Sequence, residues 1–271
     1  NADGVTAIAS LARRGDTLSF VGNQDTFDYN DFMVSPGFEE EFYPFVLRRL
    51  EEENCNALEL NSLIESSPTL AHLPGVARSL GFQVDVVQED VTSGVALPDT
   101  WDKYLALLSK KDRHELRRKF RRLESEAQSS WYCLSAPEEV TGAVGDFITL
   151  MRQSSQEKTD YMTPEREWFF HSMAERMALL GLLKLYFMEI DGLRVATGLC
   201  FDYGSTRLLY NSGYNPDYSY YSVGLLLNAL CLGDAISQGL GYFDFLRGPE
   251  SYKHHLGGRQ RNLYQMVIKR S

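Results

Sequence analysis

Asp244, Arg247, Tyr252 and Lys253 bring a carboxylate, a guanidinium, a phenol and an ammonium into one short stretch of the sequence. Such a set can move a proton and steady a growing negative charge, the work of general acid–base and electrostatic catalysis. Upstream, Ser222-Val223-Gly224 opens an apolar run, Leu225, Leu226, Leu227, Ala229, Leu230, Leu232, Ala235 and Ile236, dense enough for a helix buried over most of its surface. Small residues at a helix start let the backbone approach a ligand closely, and the open N–H groups there favour an anion. A third group lies earlier. Lys110, Lys111, Arg113, Arg117, Arg118, Lys119, Arg121 and Arg122 face only Asp112 and Glu115, with Leu116, Phe120 and Leu123 on one helical arc. That pattern is an amphipathic helix with a cationic outer side, read either as a solvated surface or as a docking strip for phosphates at Arg113, Arg117 and Arg118.

Each of these residues has a plain structural reading beside the chemical one. Asp244 sits between Phe243 and Phe245 and can pair with Arg247 or cap the next turn. Tyr252 can be a core aromatic with a satisfied hydroxyl, and Ser222 and Gly224 can do no more than start a helix. The elements that must position them follow from periodicity and punctuation. Residues 183–190, 194–201 and 207–214 read as strands, with Asp191-Gly192 the strongest hairpin signal and Asn215-Pro216-Asp217 a break. Helix 222–238, strand 242–246, a short helix near 250–256 and a strand at 263–268 come next.

The first half shows a similar order. Residues 4–9, 17–22 and 27–34 read as strands with Arg13–Asp16 as the first turn, followed by helix 38–53, strand 57–63, helix 68–80 and strand 82–88. Between the halves lie a polar connector at 89–100, a short helix from Trp101, the basic helix and strand 131–135. Helix 140–153, a polar loop at 154–162 open to a substrate, and a helix begun by Thr163-Pro164 complete the linking segment. Both 4–88 and 183–268 run β-β-β-α-β-α-β, so the expected fold class is α/β (an α+β sandwich) in two repeated units. The units are placed at 1–91 and 92–271, each a mixed, largely antiparallel sheet flanked by helices, the first lacking a leading strand and two helices at its N-terminal side.

At 271 residues and 44% apolar content the chain can bury a sizeable core. A net charge of −10 disfavours non-specific binding of nucleic acid or anionic membrane by the whole surface. No run of about 18 apolar residues is present and no signal-peptide layout is seen, so no membrane span and a cytoplasmic location are expected. Asn1 in place of an initiator Met is read as an interior start or a trimmed leader or tag. Cys55, Cys133, Cys200 and Cys231 are widely spaced and read as buried free thiols. The histidines have no metal-ligand spacing, and no metal is expected.

The stretch "GYNPDYSYYSVGLLLNALCLGDAISQGLGYFDFLRGPESYKHHLGG", from Gly213 to Gly258, resembles the C-terminal signature of the CelD-like acetyltransferases. These are GNAT-fold proteins related to the FemAB-type aminoacyl transferases of peptidoglycan synthesis. Gly213-Tyr214, Ser222-x-Gly224, Phe243–Gly248 and Tyr252-Lys253 followed by Gly257 carry the likeness, and "LLSKKDRHELRRKFRRLE" is similar to the family's arginine-rich helix. Val223 departs from it, standing where a proline is expected. The resemblance implies two GNAT-like units and acyl transfer from acetyl-CoA or another acyl-CoA, by direct attack of an amine and without a metal. It also makes Lys253 the leading catalytic residue.

Acyl transfer to an amine needs a held donor, a polarised carbonyl and a path for the amine's proton. Ser222, Val223 and Gly224 could hold a diphosphate, and a backbone N–H near Asn211 and Gly213, at a bulge, could polarise the carbonyl. Lys253 and Arg247 could steady charge, while Tyr252, Tyr214 or Asp244 relays a proton. Two other readings stay open. One is a FemAB-like transferase fed by charged tRNA through the basic helix; the other is a non-catalytic scaffold that binds a polysaccharide or cell-envelope precursor. The acceptor, a small molecule or such a precursor, and the oligomeric state are not legible. On this reading Lys253→Ala lowers turnover, measured by thiol release, without unfolding the protein.

Overall fold

A computed structural model describes residues 4–22 and 26–270; the reading of Asn1 lies outside them. The chain begins β1 (Ala7–Ile8), β2 (Leu11–Arg14), β3 (Thr17–Phe20), β4 (Met33–Val34), α1 (Glu39–Glu52), β5 (Ala57–Ile64), α2 (Pro68–Ser79) and β6 (Gln83–Ala96). It continues through α3 (Trp101–Leu107), α4 (Lys110–Glu126), β7 (Ser129–Leu134), α5 (Pro137–Ser154), α6 (Gln156–Tyr161), α7 (Pro164–Leu179), β8 (Leu183–Ile190), β9 (Leu193–Tyr203) and β10 (Thr206–Tyr214). A 3₁₀ turn (Pro216–Tyr221), α8 (Val223–Ser237), β11 (Tyr242–Arg247), α9 (Ser251–His255) and β12 (Arg259–Lys269) complete it. This is a mixed α/β fold in which a large mixed sheet is flanked by helices. Among the described residues, no helix is long and apolar enough to cross a membrane.

Contacts divide the chain into two compact units, 1–92 with 260–271 and 93–259. Two features differ from the sequence reading. The connector expected at 89–100 is largely strand, because β6 runs on to Ala96. The last strand, assigned above to the second unit, belongs to the first. It pairs antiparallel with β5 from Leu263↔Ile64 to Lys269↔Ala57, which buries Met266 and Ile268 in the first unit's core.

In the first unit β2 and β3 form a hairpin across Gly15-Asp16, so the turn read at Arg13–Asp16 is tighter than expected and its two arginines are strand residues. β3 pairs parallel with β5. Helices α1 and α2 cover the sheet with Tyr43, Val46, Leu47, Leu50, Leu73 and Ala77. Of the strands expected at 4–9 and 27–34, only Ala7–Ile8 and Met33–Val34 form, paired with each other.

In the second unit, the far part of β6 leads to β11, β10, β9, β8 and β7 in that order. β7 to β10 are antiparallel neighbours and β10–β11 is parallel. Along β8, Leu183, Leu185 and Phe187 face the core made with α5 and α7, whereas Tyr186, Met188 and Ile190 face the core made with α3, α4 and α8. With both faces covered, the strand has no polar side, which explains its nearly continuous apolar sequence. Asp191 and Gly192, both at positive φ, make the two-residue hairpin turn that their types call for.

Arg207, in β10, ties α8 to this sheet. Its fully buried guanidinium holds the Asp202 carboxylate at two distances of 2.7 Å, Asp234 of α8 at 2.6 Å and the Cys231 carbonyl at 3.0 Å. Tyr186 also donates to Asp234 at 2.5 Å. Burial pushes the Asp234 carboxyl up, but these hydrogen bonds outweigh it and hold the group below the usual carboxylate range. All four cysteines are free thiols, with Cys55, Cys200 and Cys231 buried. Arg207→Ala leaves two carboxylates facing each other without their cation, and the expected loss of about 3–5 kcal/mol is read from urea unfolding.

Candidate functional site

β10 and β11 are parallel neighbours only from Thr206↔Tyr242 to Leu208↔Asp244. Beyond that point β10 continues along β9 to Tyr214, and β11 continues to Arg247, without pairing to each other. Two parallel strands that part in this way leave a wedge bordered by backbone edges, at the carboxyl ends where open sheets receive ligands. β10 has a register shift on the same stretch, between Leu209 and Asn211, slightly earlier than the bulge expected beside Gly213.

The departure of β11 is held by two of the residues singled out from the sequence. Leu246 has φ +58, a left-handed conformation that a branched side chain rarely adopts and that costs about 1–2 kcal/mol. Asp244, nearly fully buried, accepts the Leu246 N–H at 2.9 Å. From the other side the Lys253 ammonium donates to the carbonyls of Leu246 (3.0 Å), Arg247 (2.6 Å) and Gly248 (3.1 Å) and lies 2.9 Å from Glu250 Oε2. The Lys253 side chain is 2% exposed. Its three protons are committed to these acceptors, which ties the end of β11 to α9. Tyr252 packs edge-on against Phe245 with ring centroids 6.2 Å apart, and burial pushes its phenol above the ordinary tyrosine range, keeping it protonated.

The start of α8 lies near Tyr214. A β-carbon at Gly224 would stand 3.1 Å from the Tyr214 ring, so any larger residue would have to push the ring aside by a few tenths of an ångström. Ser222 is left-handed (φ 57, ψ 38) and does not cap the helix with its side chain. Its Oγ instead accepts from Lys119 Nζ at 2.7 Å and Arg122 Nη2 at 3.4 Å, both from the basic helix α4. Arg122 also lies 4.5 Å over the Tyr220 ring. Two cations therefore stand at the positive pole of a helix whose first N–H groups lack intrahelical partners, an arrangement that an anion would relieve.

The segment expected as an open polar loop at 154–162 is the short helix α6, because Ser155 Oγ caps it by accepting the Lys158 N–H at 3.2 Å. This helix carries Lys158, whose Nζ donates to Asn211 Oδ1 at 3.2 Å and to the Ser212 carbonyl on β10. Loss of water around Lys158 lowers its pKa from the ordinary lysine value; Glu250 and Glu157 act against that shift and Lys253 adds to it.

Sequence reasoning and structure thus agree in part on which residues come together. Asp244, Arg247, Tyr252 and Lys253 all gather at the end of β11, and Asn211 borders the bulge of β10. Gly213 serves packing: a β-carbon there would stand 2.5 Å from the backbone of Met151, so its absence lets α5 lie against β10. Val223 is fully buried as the first residue of α8. Of the chosen arginines none reaches Ser222; Arg118 is bound to Glu115 at 2.7 and 2.9 Å, Arg113 reaches the Leu105 carbonyl at 3.4 Å, and Arg117 is exposed. Lys119 and Arg122 were missed as individuals, although their i,i+3 spacing beside Leu116 and Leu123 marked them as lying next to the packed side. Nothing in the sequence separated Lys158 from any surface lysine.

Comparison with known proteins adds to this geometry. The family model described as the acetyltransferase (GNAT) domain matches residues 110–254. No curated protein matches the sequence. Among solved structures the chain is similar to FemX, with a TM-score of 0.67 at 12% identity, over 97% of this chain and 85% of that one. It is also similar to the C-terminal domain of a putative lysylphosphatidylglycerol synthetase from Agrobacterium fabrum (TM-score 0.64, 10% identity, 97% of this chain and 80% of that one). The L-PGS structure from Bacillus licheniformis is a further likeness, at TM-score 0.62 and 12% identity, over 98% of this chain and 81% of that one. At such identities these likenesses speak for the fold alone.

The carbonyls around Lys253 change the expected outcome of its removal. Lys253→Ala leaves the Leu246, Arg247 and Gly248 carbonyls without their donor, and thermal or urea unfolding should show a loss of about 3 kcal/mol or more along with any loss of rate. Unchanged stability in this variant would remove the positioning role.

Proposed function

We propose, on the premise that this chain belongs to the acetyltransferase (GNAT) domain family and is thereby an acyltransferase, that it transfers an acyl group from acyl-CoA to an amine by direct attack. The observation that carries the reading is the parting of β10 and β11 beside a helix start that holds two cations. The donor's diphosphate sits on the first N–H groups of α8 between Lys119 and Arg122. Its amide-bearing arm enters the wedge and pairs with the edge of β10 as an added strand would.

The thioester carbonyl then lies near Asn211–Gly213, where a backbone N–H and the Lys158 ammonium steady the oxyanion. The amine nitrogen attacks the carbonyl carbon, the carbon–sulfur bond breaks, and the sulfur leaves as thiolate. The proton shed by the amine passes to Glu250, the half-exposed carboxylate beside Lys253, and from Glu250 to the departing thiolate. Asp244 and Lys253 act by shaping the end of β11, with Arg247 at its tip and Tyr214 packed at the helix start. In this reading the chain is of the CelD-like kind, works in the cytoplasm where coenzyme A thioesters are found, and takes as acceptor a small amine or a cell-envelope or polysaccharide precursor.

The outward cations of α4 favour a second reading, FemAB-like, in which the acyl group arrives on charged tRNA. Calorimetry of the full chain with CoA and with charged tRNA separates the two. Binding of CoA, weakened about tenfold or more in Lys119→Glu/Arg122→Glu, is the expected result; binding of the tRNA alone would transfer the case to the second reading. Lys158 gives a pH signature. As a cation it must be protonated, so kcat should fall as pH rises through its lowered pKa, and Lys158→Met should lower kcat and flatten that alkaline limb. A rate that instead rises through the same range would make Lys158 a base.

A further inference from the structure

Alternation along β10 fixes which of its backbone groups border the wedge. The Asn215 N–H goes to the Val195 carbonyl at the start of β9, at 2.8 Å. In an antiparallel pair the bonded positions alternate, so Gly213 also turns its backbone to β9, while Ser212 and Tyr214 turn theirs to the opposite border. That border has β11 paired to it only as far as Leu208. Ser212 and Tyr214 therefore present backbone groups beyond the point where the two strands part.

Side chains meet those groups. The Ser212 N–H donates to Asn211 Oδ1 at 2.9 Å, and the Ser212 carbonyl accepts from Lys158 Nζ. Lys158 also donates to the same Asn211 Oδ1, at 3.2 Å. The Tyr214 N–H donates to Ser154 Oγ at 2.8 Å. Three side chains thus fill the places that a neighbouring strand would fill, and they come from β10 itself, the end of α5 and α6. None of them is needed to hold its own element. Ser154 keeps a hydrogen bond to the Leu150 carbonyl at 2.8 Å. α6 is fastened separately, by Thr159 Oγ1 on the Arg152 carbonyl and by Arg166 on the Tyr161 carbonyl, each at 2.8 Å. Lys158, on a flexible four-carbon stem, can leave β10 while the helix that carries it stays in place.

We infer that these side chains are placeholders for the donor: the amide groups of its arm take over the Ser212 and Tyr214 sites, and the Lys158 ammonium released from Ser212 is the one that meets the thioester oxygen. The inference rests on the acyl-CoA reading above and adds to it a competitor built into the chain. An entering arm replaces hydrogen bonds that the protein makes to itself, which holds donor affinity below what the same wedge would otherwise give. In return the catalytic cation is freed only once the donor is in place.

The test uses pantetheine, which has the donor's arm but neither its phosphates nor its thioester. With this uncharged ligand, loss of a lysine removes no attraction between charges, and no oxyanion is involved. Calorimetric titration of the full chain should show Ser154→Ala and Lys158→Met each binding pantetheine about threefold or more tightly than the unaltered protein, as loss of one competing hydrogen bond implies. In Lys158→Met this tighter binding accompanies the lower kcat expected above, a split that loss of a simple donor contact would not produce. CoA is titrated into the unaltered protein alongside. Affinity for pantetheine that is unchanged, weaker or too low to measure in either variant, with CoA still bound, overturns the inference and leaves the acyl-CoA reading standing. Failure of the unaltered protein to bind CoA removes both.

Discussion

The bend at the end of β11 is the constraint from which the rest of the site follows. A strand that stayed straight would go on pairing with β10, and the wedge between them would close. Leu246, two residues beyond the last paired position, is left-handed, and such a residue persists only when its surroundings over-determine it. Here they do, with a buried carboxylate on its N–H and a buried ammonium on its carbonyl and the next two. The end of β11 is thus held by backbone hydrogen bonds made to side chains. Preorganisation of this kind lets binding energy go to the reacting centre.

Charge is arranged on two scales in this protein. The whole chain is acidic, with a net charge of −10, so its surface repels polyanions at a distance. Locally α4 reverses the sign, and it does so beside the start of α8. A small anionic carrier that reaches the site gains the full local field, screened little because Lys119 is only 19% exposed. A long polyanion must bring the rest of its charge close to an acidic surface. That contrast favours a compact anion over an extended one.

Much of this fold could be read in the sequence because local rules agree with the final structure. The Asp191-Gly192 hairpin, the proline-led α7 and the apolar α8 each carry their own punctuation, and each forms where expected. What could not be read were relations between distant parts. Asp244 and Lys253 looked like chemistry because a carboxylate and an ammonium near a strand end look the same whether they face a substrate or a backbone; only the carbonyls within 3.1 Å of Lys253 decide between these. Gly213 looked like a place for a cofactor and is a place for α5, since the sequence does not say which backbone comes close. The connector at 89–100 failed for a different reason. Its polar residues lie on a long strand whose neighbours, β11 and β12, come from the far end of the chain.

That last arrangement bears on how the polypeptide comes off the ribosome. β5 emerges early, yet the strand that lies antiparallel to it from Ile64 to Ala57 is made only after the entire second unit. Residues 57–64 consequently lack this neighbour until residues 263–269 have been made. Contacts between such remote parts are slow to form, and a bare strand border is a template for unwanted pairing. Closing the first unit's sheet therefore depends on a strand that follows the whole of the second unit in the sequence.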